Sequence, residues 1–138
     1  MQRNTINLKH MTREQLNALG AQILDACIEV HKHLGPGLLE SVYVFALLKE
    51  FELRGIKAAA NIGVPLIYKG HDTGKFYEMD ILIEGEVVFE AKAVDVMHPV
   101  YEAQIISYLK LTDKRLGYLV NFNVVKLIDG FKRFVNNF

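Results

Sequence analysis

Two short apolar runs separated by three residues constrain this chain more than any other feature. Ile81-Leu82-Ile83 and Val87-Val88-Phe89 flank Glu84-Gly85-Glu86. Neither run alternates polar with apolar. A hairpin with one wet face alternates, whereas strands that are apolar at every position are covered on both faces. The chain therefore needs helices on either side of a sheet, and it has them. Thr12, with Gln15 three residues on, reads as a capping box that opens a helix. Leu16, Leu19, Ile23, Cys27, Val30 and Leu34 follow as one stripe at helical spacing, and Gly35-Pro36-Gly37 stops the helix. A second helix is predicted from about Leu38 to Arg54, with Gly55 past its end. Its apolar side chains go most of the way round, so it reads as largely buried. A third is predicted from about Pro99 to Thr112.

Further strands are read at Val64–Tyr68, where Pro65 marks a sheet edge, and at Phe76–Ile83, Val87–Ala93, Leu116–Phe122 and Val124–Ile128. Lys69–Lys75 reads as a turn. The tail Gly130–Phe138 is expected to pack back through Phe131, Phe134 and Phe138. The predicted order is α-α-β-β-β-α-β-β. This is an α/β chain with a central mixed sheet flanked by helices, residues 1–11 forming an N-terminal arm and 12–138 one domain.

Several function classes are excluded at once. The 138 residues hold one cysteine, Cys27, so intramolecular disulfides and thiolate metal clusters are out. The 16 Lys and Arg balance 16 Asp and Glu, so nucleic acid could be held only by a local patch, not by bulk charge. Residues 51–90 are acid-rich and 91–138 mildly basic. That pattern suits a metal site beside a phosphate-contacting surface, and it also suits chance in a short chain. Lys110, Lys114, Arg115, Lys126, Lys132 and Arg133 either line a nucleic-acid path or are scattered surface charges. No run reaches the roughly 18 apolar residues of a membrane span, and the first ten residues have no apolar signal core. A cytoplasmic protein that makes no membrane contact is expected, and a homodimer is compatible with the neutral, apolar-rich chain.

The chemistry lies in Asp80, Glu90-Ala91-Lys92 and Gln104. On a strand, Glu90 and Lys92 share a face and Ala91 points away. Asp80 joins them only if the connection counts an odd number of residues, as Glu84-Gly85-Glu86 does. A two-residue turn would pair Asp80 with Phe89 and send Glu90 to the opposite face. Two adjacent carboxylates repel unless a cation lies between them. Mg²⁺ prefers oxygen and keeps several waters, so two carboxylates and the Ala91 carbonyl suffice to hold it. Such an ion activates water and offsets charge on a phosphate. Lys92 can neutralise or orient there, and Gln104 can hold the water or a phosphate oxygen. The reaction class is phosphodiester hydrolysis. The same E-x-K pattern also occurs on ordinary solvated strands, but here it ends an apolar pair, where charge is costly. Glu40, on an apolar helix, needs a cation or strong donors for the same reason. Cys27 reads as core, and His31 and His33 as surface or packing residues.

Gly37-Leu38-Leu39-Glu40-Ser41-Val42-Tyr43, preceded by Val30-His31-Lys32-His33-Leu34-Gly35-Pro36, resembles the G-x-x-E-x-x-Y signature of the GxxExxY family. That family is a branch of the PD-(D/E)XK, restriction-endonuclease-like nuclease superfamily. The resemblance extends through Tyr77–Val94, Ala103–Lys110 and Leu116–Phe122. It implies a restriction-endonuclease-like core and a metal-dependent nuclease acting on DNA with Mg²⁺ or Mn²⁺. Asp80 and Glu90 would be metal ligands, Glu40 a further acid reaching the metal directly or through water, Lys92 the catalytic lysine, and Gln104 the glutamine of the following helix. Tyr43 would either donate to a carboxylate or pack in the core. Two positions depart from the pattern: Glu78 stands where a basic residue is usual and Val44 where an acidic one is. Glu78 shares a strand face with Asp80, and His98 lies close enough in sequence to touch substrate. The alternative readings are a catalytically silent module with the same fold, binding nucleic acid or protein, and a phosphoesterase acting on small nucleotides.

Overall fold

A computed structural model describes residues 10–138. All of the predicted arm except His10 and Met11 therefore lies outside the described residues. The elements run α1 (Arg13–Leu34), α2 (Glu40–Leu53), β1 (Ala58–Tyr68), β2 (His71–Ile83), β3 (Val87–Lys92), α3 (Pro99–Thr112), β4 (Leu116–Asn121), a single-turn α4 (Leu127–Gly130) and β5 (Phe131–Val135). The five strands form one sheet in the order β1-β2-β3-β4-β5. Every neighbouring pair is antiparallel except β3 and β4, which are parallel. A parallel pair needs a crossover connection, and α3 supplies it. The protein is thus an α/β fold with a mixed sheet, consistent with a restriction-endonuclease-like core.

The two apolar runs are covered as their composition requires. Ile81, Ile83, Val87 and Phe89, all fully buried, pack with α1 and α2, while Val88 and Leu119 pack with Ile105, Tyr108 and Leu109 of α3. Thr12 accepts from the Gln15 amide and Gln15 from the Thr12 amide, which completes the capping box. On α1, Gly20 lies against the Tyr118 hydroxyl so closely that a Cβ there would collide with it. This seats α1 on β4.

Four expectations are corrected. Val124–Ile128 is not a strand: Val125 stands exposed, a helical turn follows, and the last strand is Phe131–Val135. The β-branched pair misleads because the chain must reverse after β4. Gly130 makes that reversal by packing on the Asn121 carbonyl, where a Cβ would not fit. The predicted turn at Lys69–Lys75 shrinks to Lys69-Gly70, both at positive φ, as a two-residue hairpin requires. β1 begins at Ala58 rather than near Val64, on the sheet edge that Pro65 marks. Finally, α2 is not largely buried. Only the stripe Tyr43, Leu47, Phe51 is fully covered, and Leu39 and Phe45 are each 73% exposed. The helix is packed on one side, and its other side faces solvent.

Candidate active site

The β2–β3 ladder is short. Its partners are Ile83↔Val87, Leu82↔Val88 and Ile81↔Phe89, a register set by the three-residue connection Glu84-Gly85-Glu86. Beyond Ile81, β2 continues alongside β1, while β3 continues alongside β4 as far as Lys92↔Asn121. The strands part at the next two residues, Asp80 and Glu90. Each carboxylate satisfies the backbone of the other strand: the Asp80 amide donates to Glu90 Oε2 and the Ala91 amide to Asp80 Oδ2, both at 2.8 Å. Two side-chain bonds therefore stand where ladder bonds would have formed, and they hold the two carboxyl groups together.

On the other side of β2 the regular pairing is also broken. Asn61 would stand opposite Asp80 between the pairs Ala60↔Ile81 and Ile62↔Met79, but it has φ 55°. Across this point the facing changes: Ile81 packs with α1 and α2, and Met79 with α3. Such a break re-aims the side chain at its centre, which here is Asp80.

Burial and like charge shape the electrostatics. Glu90 is 5% exposed. Its carboxyl is pushed up to about 8, first by burial and then by the neighbouring Asp80, against the Asp80 amide and the Lys92 charge, which pull it down. Asp80 is also raised, mainly by burial, with the Ala91 amide and Lys92 opposing. Glu40 begins α2 and is half-buried. Burial raises it most, Lys92 opposes, and Asp80 adds to the rise. The charges of Glu40, Asp80, Glu90 and Lys92 thus act on one another. Glu40 and Asp80 also line one cavity of about 580 Å³, together with Leu39, Phe45 and Asn61. The Lys92 ammonium lies 4.6 Å from the centre of the Tyr101 ring.

Gln104 lies half-buried on α3, three residues after Tyr101 and four before Tyr108, on the helix face those spacings define. Tyr101 holds the lysine. Tyr108 is raised to about 12, first by burial and then by the Glu90 and Asp80 charges. The Gln104 position therefore falls between a residue touching Lys92 and one that senses both carboxylates. Tyr101 and Tyr108 were not singled out from the sequence, although their spacing from Gln104 carried the signal. Asn121 was missed too. It is a buried amide at the end of an apolar strand. Its Oδ1 accepts from the Val94 and Asn123 amides and its Nδ2 donates to the Val94 carbonyl, which pins the segment after Lys92 onto β4. A polar residue closing an all-apolar strand was the available sign.

The remaining candidates separate clearly. Tyr43 does not reach a carboxylate. Its hydroxyl donates to the Gly35 carbonyl at 2.6 Å and accepts from the Leu38 amide, and its ring stacks on Phe122. Glu78 is exposed, and its charge reaches Asp80. His98 caps α3 by accepting from the Val100 amide. His31 bonds the Val124 carbonyl, and Cys27 is fully buried, with its thiol pushed up by burial. Of the C-terminal cations, Lys132 pairs with Glu102 at 2.5 Å, Arg133 donates to Asn17, and Arg115 donates to the Met11 carbonyl.

Among the described residues no three His, Cys, Asp or Glu side chains stand together as a complete metal cage. The donors present suit a hard cation nonetheless. Asp80 and Glu90 offer only oxygen, one of them deeply buried, and each has one carboxylate oxygen not used in their mutual bonds. Mg²⁺ commonly binds through one or two carboxylates, with waters and substrate phosphate completing its shell.

Searches of the curated proteins and of the solved structures return no match. A family model described as the PD-(D/E)XK nuclease superfamily matches residues 17–134, a span that contains Glu40, Asp80, Glu90, Lys92 and Gln104. The chain belongs to the PD-(D/E)XK nuclease superfamily.

Proposed function

We propose that this protein is a magnesium- or manganese-dependent nuclease that hydrolyses phosphodiester bonds in DNA. We assign it to the GxxExxY branch of its superfamily on Gly37, Glu40 and Tyr43. The observation that carries this reading is the reciprocal bonding of Asp80 and Glu90 where β2 and β3 part. Two acids so joined, with Lys92 two residues from Glu90, sit at the end of an apolar sheet, where burial makes charge costly and perturbed carboxyls are a mark of chemistry.

In this assignment Asp80 and Glu90 hold the metal, and Glu40 adds charge directly or through water. A bound divalent ion supplies an activated water and offsets charge on the phosphate. Lys92, steadied on Tyr101, neutralises charge growing on the phosphoryl oxygens. Gln104 orients the water or a phosphate oxygen. Tyr43 acts at one remove by fixing the Gly35–Leu38 loop from which Glu40 starts α2. Residues 12–138 act as one domain in the cytoplasm. A homodimer would carry two such sites, one on each copy. Among the described residues no helix is long and apolar enough to cross a membrane.

The rival reading, a silent module with the same fold, draws support from the incomplete protein cage. Calorimetry with Mn²⁺ separates the two. The nuclease reading expects binding that Asp80→Ala abolishes, together with cleavage of supercoiled DNA that Lys92→Ala removes from a folded protein. Equal Mn²⁺ binding by both proteins, or normal cutting by the Lys92 variant, overturns it.

A further inference from the structure

The cavity shared by Glu40 and Asp80 does not end at the carboxylates. A second cavity of about 750 Å³ shares Phe45, Leu48 and Ala60 with it and runs on to Lys49 and Lys57. The two make one trough along the seam between α2 and the edge strand β1. One end is acidic, the middle is apolar and the far end carries Lys49 and Lys57 together with Glu52. Phe45 stands on its wall and is 73% exposed, a large ring with no aromatic partner among the described residues.

From this continuity we infer that the trough receives unpaired bases of a single-stranded segment next to the cleaved phosphate, so the substrate class is single-stranded or frayed DNA rather than blunt duplex. The inference rests on the nuclease reading above for the phosphate's position. A polynucleotide whose phosphate lies at Asp80 must lay its adjoining nucleosides alongside, and the trough is continuous with that point. In a duplex the apolar base faces are covered by stacked neighbours, and a protein meets only the base edges in the grooves. An unpaired base offers its face, and aromatic side chains are the usual platforms for it. Lys49, at the surface in a pair with Glu52, and Lys57 stand where the next phosphates would pass.

The chain has no tryptophan, so Phe45→Trp creates a single reporter at an exposed position. With Ca²⁺ present to offset the carboxylates, an oligothymidylate should quench its fluorescence, and a blunt duplex of equal nucleotide concentration should not. Phe45→Ala should weaken single-strand affinity by roughly 5- to 100-fold in fluorescence anisotropy. Absence of quenching by the single strand, or equal quenching by the duplex, overturns the inference. So does reporter fluorescence that changes with protein concentration in the absence of DNA, because a second copy of the chain would then be covering the trough. Wild-type cleavage alongside an unquenched reporter sinks this inference and leaves the nuclease reading standing. Quenching without any cleavage overturns the nuclease reading and, with it, the placement beside a cleaved phosphate, leaving the trough as a single-strand binding site alone.

Discussion

The two ends of the β2–β3 pair differ more than any other neighbouring regions of the molecule. At the loop end, three consecutive residue pairs are apolar and nearly all fully buried. One residue further the strands separate, and the groups there are two carboxylates with a lysine close by. The first end is what a sheet covered on both faces favours. The second is unfavourable on the same grounds, since burial disfavours charge, and its backbone bonds are made by side chains instead of by the ladder. Stability and chemistry are thus divided along one hairpin, and changes at the two ends should have separable effects.

The largest effect should come from the parted end. Asp80→Asn keeps an acceptor for the Ala91 amide but removes a charge from the proposed metal site. Cleavage of supercoiled DNA should fall by ~10⁴-fold or more while the thermal midpoint stays near wild type. At the loop end the pattern should invert. Phe89→Ala empties a fully buried ring site and should cost about 3–5 kcal/mol of stability by urea unfolding, with activity per folded molecule unchanged at low temperature. A loss of activity without unfolding in the Phe89 variant would break the division.

Glu90 tests the same division through pH. Its carboxyl is raised from 4.5 to about 8, so between those values the folded state keeps a proton that the unfolded state has released. Its contribution to stability is complete below pH 4.5 and lost as pH rises through about 8. Metal-free protein should therefore lose a few kcal/mol from this group across that window. Glu90→Gln should flatten the dependence and be the more stable protein at pH 9. Added Mg²⁺ should restore much of the difference to wild type and none to the variant. Urea titrations at a series of pH values check both points.

How much of this was legible beforehand follows from what each signal depends on. The register of Asp80 against Glu90 was readable up to the length of the loop, since a three-residue connection brings the two together and a two-residue turn does not. The pairing of Ile83 with Val87 bears it out. The first helix was readable from Thr12 and its apolar stripe. The last strand was not, because Val124-Val125 has strand-like composition, while the decisive contact, Gly130 on the Asn121 carbonyl, joins residues nine apart. Nor was the exposed side of α2. Apolar content shows what a helix could bury, but only its packing against the other elements shows what it does bury. Tyr101 and Tyr108 were visible as spacing, yet their meaning depends on Lys92 and Glu90 across the fold.

The smallest expected effect is also the most direct test of how the parted end is supported. Tyr43 is fully buried and stacked on Phe122, and its hydroxyl alone joins the Gly35 carbonyl to the Leu38 amide. Tyr43→Phe keeps the ring and the stack and removes two hydrogen bonds, so stability should fall by only ~1–2 kcal/mol. The loop freed by that change leads into Glu40, so the loss should be local. Amide exchange should quicken at Leu38 through Ser41 and stay unchanged at Ile81 through Val88. Mn²⁺ affinity should drop only a few-fold, because Asp80 and Glu90 keep their mutual bonds. If exchange quickens equally along the β2–β3 ladder, Tyr43 supports the whole core, and the two ends of the hairpin are not independent.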